Sequence, residues 1–427
     1  MLDIKIIRED PSEIEQALRR RDERIDLSAL VAADRERLTV LQEVETLKAE
    51  KNRLSKEVGR LRKAGESADE VIAGTKTVGV KIGELEERRG VLEDEIAQEV
   101  AALPNLPHPD VTPGGDVTQA TVVRTWGERP KDPGENHVDI ARRLGLIDLE
   151  RAARLSGSQF ALYRGWGARL EWALIRFMLD LHVDVNGYEM ILPPFVANTE
   201  TLTASGQLPK FADQVYRCAD DDLYLVPTAE VPLTGLHRAE MLREEDLPLR
   251  YCAYTPCFRR EAGAHGANER GLIRTHQFNK VEIYRFAPPE ASYQHLDAIV
   301  VEVEDVLQRL GLHYRTIRLV AGDMAQQASM TYDIEVWIPG QDRYYEVSSV
   351  SNCEDYQARR ASIRYRPTEG GKPRFVHTLN GSALATSRLF AAILESNVQA
   401  DGNLLVPEVL RPHLGGAAVI TPDGGRQ

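Results

Sequence analysis

No stretch of this 427-residue sequence approaches the roughly 18 consecutive apolar residues that a membrane-crossing helix needs. The chain also opens without a basic segment leading into an apolar run, so the expectation is a soluble, cytoplasmic protein with no membrane partner. Cysteine is scarce. Cys218, Cys252, Cys257 and Cys353 form no CxxC pair, and their strand-like flanks suit small apolar fillers better than zinc ligands. Neither GxGxxG nor GxxxxGK[ST] occurs, which leaves a Rossmann or P-loop nucleotide site unsupported. A net charge of −13 argues against a general nucleic-acid binder.

Positive charge is nevertheless concentrated in one place. Residues 48 to 63 carry Lys48, Lys51, Arg53, Lys56, Arg60, Arg62 and Lys63 against only Glu50 and Glu57. In an acidic chain, such a patch points to a polyanionic partner met at that position. The patch lies within a heptad pattern. Val40, Leu47, Leu54 and Leu61 recur every seven residues, with Val44 and Val58 on the alternate seam. After a break marked by Gly59, Gly65 and polar residues, Val78, Leu85 and Leu92 resume the pattern, with Ile82 and Ile96 alongside. Two runs of similar length predict an antiparallel helical hairpin over about residues 28–103, an arm some 50 Å long at about 1.5 Å per residue.

Four prolines and two adjacent glycines in PNLPHPDVTPGGD mark a linker, drawn here at 104–118 between an N-terminal unit, 1–103, and a second unit, 119–427. In the second unit a helix is expected from about Gly167 to Val185, then a strand closed by Pro193 and Pro194. From Gln214 onward, the short strands QVYRC, LYLVPT, LRYCAY, YRTIRLV, TYDIEVWI, RYYEVSSVSN and RFVHTLNG surround a central hairpin. Helices fall at about 229–243, 290–311 and 383–399. Hairpin-like neighbours without regular βαβ alternation give an α+β fold: an antiparallel sheet flanked by helices and preceded by a coiled-coil arm.

Four polar segments stand out against that apolar frame. CFRREAGAHGANERGLIRTHQFNKVEIYRF reads as two strands joined by a Gly-rich, charged loop tip at Gly263 to Gly271. Strand parity puts His276, Phe278, Lys280, Glu282 and Tyr284 on one face, so an aromatic ring and a carboxylate lie about 13 Å apart. Arg259, a fork suited to phosphate, and Glu261 close the other side. VPTAEVP supplies Thr228 and Glu230, equally readable as a helix cap and first-turn acid. YYEVSSVSN places polar residues where a buried strand would be apolar, and Glu346 with Ser349 would suit a hard cation such as Mg²⁺. Strict alternation pairs Glu346 with Ser348, so bringing in Ser349 requires a bulge or a strand end. HTLNGSALATSRLFAAILE reads as a strand, a tight turn at Asn380 and Gly381, and a helix with Arg388 near its start.

FRRE followed by RGLIRTHQFNKVE resembles motif 2 of the class II aminoacyl-tRNA synthetases in its seryl form, and the likeness extends over nearly the whole chain. The helix and strand before Pro193 resemble motif 1, the family's dimer interface, and the segment around Arg388 resembles motif 3. The resemblance implies a homodimer that activates L-serine with ATP and Mg²⁺ and passes it to tRNA(Ser), with tRNA(Sec) a further substrate. Its arm would read the long variable arm of the tRNA by shape. Arg259 would grip the α-phosphate, Glu261 the adenine amino group and Arg388 the γ-phosphate, with Phe278 stacked on adenine. Glu346 and Ser349 would hold Mg²⁺, and Arg259, Arg388 and Glu346 form the catalytic set. Arg260, Thr275, Val347 and Ser348 complete the ATP site, and Thr228, Ala229, Glu230, Glu282, Asn380 and Ser382 the serine site.

Departures from the family pattern accompany the likeness. Ala267, Asn268 and Glu269 stand where Arg, Asp and Thr are common, Met330 where lysine is usual, and Ala383 and Ser387 replace glycines beside the expected nucleotide. These mark out a specialised or inhibitor-insensitive second copy as an expectation. The rival readings are a ligase that charges a carrier protein and a non-catalytic tRNA-binding paralogue.

Overall fold

The computed structural model describes residues 1–130, 134–262 and 271–422, and the altered loop residues Ala267, Asn268 and Glu269 lie outside them. The chain divides into two compact units, Met1–Pro104 and Asn105–Gln427.

In the first unit, α1 (Ser28–Ala64) and α2 (Asp69–Ala102) pack against each other. Val40, Val44 and Leu92 form the buried seam, with Leu85 against it, so four of the heptad positions meet as the spacing requires. The break is shorter than the glycines suggested. Gly59 lies inside α1, and the helix ends only at Gly65, whose φ of +72° is the left-handed conformation that terminates helices without steric cost in glycine. Lys48 pairs with Glu86 at 2.6 Å and Arg88 with Glu36 at 2.7 Å across the two helices.

The second unit is built on an eight-stranded sheet. Its strands are β1 (Thr121–Trp126), β2 (Glu189–Ile191), β3 (Leu249–Phe258), β4 (Gln277–Ala287), β5 (Tyr314–Arg318), β6 (Met330–Ile338), β7 (Arg343–Asn352) and β8 (His377–Ala385). They lie in the order β1-β5-β6-β7-β8-β4-β3-β2, and every pairing is antiparallel except that of β2 with β3. Pro256 is tolerated in β3 because β2 pairs only as far as Ala253, so on that side no ladder bond is lost.

Helices α3 (Trp166–Asp180), α5 (Ser292–Leu310) and α6 (Thr386–Asn397) cover one face, and the short α4 (Glu230–Gly235) lies between β2 and β3 in sequence. Leu170, Leu174, Ile299, Val303, Leu389 and Ile393 pack against Val281 and Ile283 of β4 in the main core. Each such side chain contributes roughly 1.5–3 kcal/mol on leaving water. The even-numbered positions of β4 face the other way. There Tyr284 and Phe286 join Tyr251, Ala253, Ile363 and Tyr365 in a second apolar cluster. One strand therefore carries two apolar faces at its far end, while Phe278, Lys280 and Glu282 occupy the even positions nearer the loop.

Three local readings change. The helix expected at 229–243 ends at Gly235, and Met241–Arg243 pairs in a small separate sheet. QVYRC is not a strand beyond one bridge from Arg217 to Tyr224. Asn380 and Gly381 form no turn, because β8 runs straight through them to Ala385. Gly381 is there for room: a Cβ would stand 2.7 Å from Ile299 Cγ2 on α5.

Candidate active site

The polar segments converge where β3, β4, β8 and β7 lie side by side. Two adjoining cavities open there, of about 250 and 370 Å³. The first is lined by Arg274, Thr275, Phe278, Val347, Ser387 and Arg388 among others, and the second by Thr228, Glu230, Gln327, Ser349 and Asn380. Arg259, Glu261, Lys280, Glu346 and Ser382 line both. The shared wall joins the two spaces into one trough.

At the first cavity, Arg259 leaves the end of β3 with its guanidinium 5.2 Å from the centre of the Phe278 ring, a cation–π arrangement. Its Nε donates to the Pro227 carbonyl at 3.3 Å. Glu261 accepts from Arg274 Nη1 at 2.8 Å. Arg388, in the first turn of α6, donates from Nε to the Ile273 carbonyl at 3.0 Å and from Nη1 to the Glu346 carbonyl at 2.6 Å. Backbone contacts hold both guanidinium groups, and Arg388 Nη1 also lies 3.7 Å from Glu346 Oε2, so within this trough the charge of Arg388 is partly offset by that carboxylate.

β7 carries the bulge that Ser349 needs. Its register against β6 shifts between Glu346 and Ser348, so Glu346 faces Glu335 and Ser349 faces Asp333. With one extra residue at Val347, Glu346 and Ser349 both reach the second cavity. Their oxygens suit a hard cation that keeps part of its coordination for phosphate and water. No cluster of three or more His, Cys, Asp or Glu is arranged for a metal among the described residues.

The second cavity ends in a buried polar network. Lys280 Nζ donates to Thr228 Oγ1 at 2.6 Å and to Ser382 Oγ at 3.3 Å, and it pairs with Glu282. Glu282 is completely buried and accepts from Thr228 Oγ1 at 3.3 Å and Asn380 Nδ2 at 3.4 Å. Glu230 Oε1 accepts from Gln357 Nε2 at 2.7 Å and Gln327 Nε2 at 3.1 Å. Burial, and then the charge of Glu282, push the Glu230 carboxyl up to about 7, with Lys280 opposing them. Thr228 Oγ1 also accepts from the Glu230 N–H at 3.2 Å, but Thr228 is not the helix cap: that position is Ala229, and no side chain caps the helix.

Two buried polar atoms at the trough lack partners on the protein: Thr275 Oγ1 in the first cavity wall and Gln327 Oε1 in the second.

Some expected residues lie elsewhere. Arg260 is exposed and donates to the Asp213 carbonyl, outside both cavity linings. Ser348, on the opposite side of the bulge from Ser349, donates to the Ser382 carbonyl. Ala229 is packed in the second apolar cluster. Ala383 belongs to the main core and does not line the trough, whereas Ser387 does. Met330 is also a core residue. Lys280, Arg274, Gln327 and Gln357 had been assigned no role. Parity between Phe278 and Glu282 could have singled out Lys280, whereas the two glutamines come from distant loop and helix positions with no local signal.

Residues 1–107 match the model of the seryl-tRNA synthetase N-terminal domain, and residues 214–397 that of the tRNA synthetase class II core domain (G, H, P, S and T). A serine–tRNA ligase of Geobacter sulfurreducens is 49% identical over 419 residues, covering 97% of this chain and 99% of the relative. Among solved structures, the seryl-tRNA synthetase of Pyrococcus horikoshii complexed with ATP is 38% identical, with a TM-score of 0.94 over 99% of this chain and 100% of that one. The cytoplasmic serine–tRNA ligase of Naegleria fowleri in complex with AMP is 28% identical, with a TM-score of 0.89 over 99% of each chain. Neither a carrier-protein ligase nor a non-catalytic paralogue is favoured by these likenesses. With both family models matched and near-complete coverage at close to half identity, the chain belongs to the seryl-tRNA synthetases, class II enzymes that activate serine and join it to tRNA.

Proposed function

We propose that the first cavity takes ATP and the second L-serine, so that the serine carboxylate meets the α-phosphate at the wall they share. The observation that carries this is that Arg259, Lys280, Glu346 and Ser382 line both spaces. Phe278 offers a face for adenine, Glu261 an acceptor for its amino group, and Thr275 and Val347 line the same space. Arg259 takes the α-phosphate and Arg388 the γ-phosphate. A carboxylate oxygen of serine attacks the α-phosphorus in line, the bond to the β-phosphate bridge breaks, and pyrophosphate leaves. This step needs alignment and charge neutralisation and little proton transfer, which two fixed guanidinium groups supply. Glu346 and Ser349 would hold Mg²⁺, whose chemistry there is to offset charge on the triphosphate oxygens. In the second half-reaction the terminal ribose hydroxyl of tRNA attacks the seryl carbonyl and AMP leaves.

Serine is selected by a polar pocket. Glu282, Thr228, Glu230 and Asn380 are buried groups that an alanine would leave partly unpaired, and such pockets reject analogues lacking a hydroxyl far better than apolar ones do. Lys280 pairs with Glu282 within this pocket. We further assign residues 1–103 to tRNA binding, 104–118 to a linker and 119–427 to catalysis. The substrate is tRNA(Ser), and recognition of the arm by shape extends the reading to tRNA(Sec). We also propose a homodimer. Trp172 and Phe195 flank Tyr254 with ring centroids 5.7 and 6.1 Å from it, and Trp172 is 60% exposed, a large aromatic left to water on the motif 1 helix.

Pyrophosphate exchange into ATP, driven by each amino acid in turn and followed by charging of tRNA(Ser), tests the reading. Serine is expected to drive exchange at least about a hundredfold better than alanine. Better exchange with another amino acid would sink the serine assignment.

A further inference from the structure

One buried pair lies outside the trough and takes no part in the contacts above. His137 and Glu395 have completely buried side chains, with imidazole Nδ1 2.7 Å from Glu395 Oε1. The His137 backbone N–H donates to the same oxygen at 2.8 Å, and the Gly340 N–H donates to Oε2 at 2.7 Å. On its other side, His137 Nε2 lies 3.1 Å from the Leu272 nitrogen. A backbone amide can only donate, so Nε2 accepts and the ring proton sits on Nδ1, facing the carboxylate. The imidazole thus bridges α6 to the returning end of the motif 2 segment.

The backbone around the pair is closely fitted. Gly271 has a φ of +77°, and a Cβ there would stand 2.4 Å from Val138 Cγ2 and 2.5 Å from His137 Nε2. At Gly340 a Cβ would stand 2.8 Å from Glu395 Oε2. Glu395 follows Arg388 by seven residues on α6, two turns along the same face and about 10 Å away. α6 therefore holds adjacent residues of one segment by two routes. Glu395 acts through His137 on the Leu272 N–H, and Arg388 donates to the Ile273 carbonyl. Ile273, Arg274 and Thr275 then run directly into the first cavity wall.

We propose that His137, oriented by Glu395, is a positioning residue for nucleotide binding: it fixes Leu272–Thr275 against α6 and so sets where Thr275 and Arg388 meet the triphosphate. The inference rests on the assignment of the first cavity to ATP. A purely structural role would lower stability and the active fraction without separating the two substrates.

The test is serine-dependent pyrophosphate exchange by the full-length enzyme, with KM measured for ATP and for serine. His137→Leu is expected to raise the KM for ATP about tenfold and leave that for serine within twofold. His137→Gln, whose amide can accept from Leu272 and donate to Glu395, is expected to bring the KM for ATP back to within threefold of wild type. An unchanged KM for ATP in His137→Leu, an equal rise in both constants, or a Gln variant no better than Leu overturns the proposal. If His137→Leu does not fold, Glu395→Gln decides: it retains an acceptor for the imidazole but weakens its orientation, so a threefold rise in the KM for ATP is expected and no change overturns it. Absence of serine-dependent exchange in the wild type would instead remove the reading of the trough itself.

Discussion

Ser387 is 6% exposed and lines the first cavity, so its hydroxymethyl group occupies space that a glycine would leave to a ligand. If that departure makes this a specialised copy, Ser387→Gly is expected to lower the inhibition constant of a non-hydrolysable seryl-adenylate mimic by about tenfold. Unchanged inhibition would count against the idea. Glu171 presents a different case. It accepts from Asn279 Nδ2 at 2.8 Å and from Thr386, joining α3 to β4 and to the start of α6, while its Oε2 has no partner. Burial pushes this carboxyl up to about 7, against the two hydrogen bonds. Because the folded value lies above the unfolded one, the native state binds the extra proton, and stability falls as pH rises from about 4.5 through 7. Glu171→Gln mimics the neutral acid, so its Tm is expected to change less over that window, relieving a cost on the order of 3 kcal/mol above it. A wild-type profile that is already flat would refute the assignment. Several residue types of the trough, such as Lys280, Glu282, Glu346 and Ser382, were readable from sequence because they stood out as polar in strands. Thr386 and Asn279 gave no such signal, since their partner is a glutamate more than a hundred residues away.

Among the elements, β7 shows what periodicity can and cannot supply. Alternation alone left Glu346 and Ser349 on opposite faces, and the shift of register at Val347 reconciles them. That bulge is a property of pairing with β6, so no local pattern announces it. Gly381 was misread for a related reason: glycine permits either a turn or a close approach, and only the position of α5 decides between them. The arm behaves in the opposite way, since its seam follows from the heptads directly. Of the seven basic residues at 48 to 63, Lys48, Arg53 and Arg60 are engaged with Glu86, Glu50 and Glu57, while Lys51, Lys56, Arg62 and Lys63 are exposed. Replacing those four by alanine is expected to raise the KM for tRNA by at least about tenfold and to make its salt dependence shallower by up to about 3 in log–log slope. Pyrophosphate exchange should be unaffected. An unaltered salt slope in the charging assay would exclude these side chains from phosphate contact.

For the molecule as a whole, the proposed dimer makes a direct prediction. Trp172→Glu places a charge in an aromatic patch, and sedimentation is expected to show a shift from dimer to monomer at micromolar concentration. A wild-type chain that sediments as a monomer would remove the proposal. One property was determined by sequence alone: the helical arm, because a seven-residue repeat leaves two long helices only one way to bury their stripes. The polar segments of the trough could be picked out as exceptions to an apolar frame, but which ligands they would take came only from the family resemblance. What only the tertiary structure decided was proximity. The order β7-β8-β4-β3 brings Glu346 and Ser382 to one wall with Lys280 and Arg259, which come from the separate motif 2 segment. The same packing pairs His137 with Glu395 and Glu230 with Gln327 and Gln357. Contacts at such separation depend on the folding of the whole sheet and its helices, and no window of sequence contains both partners.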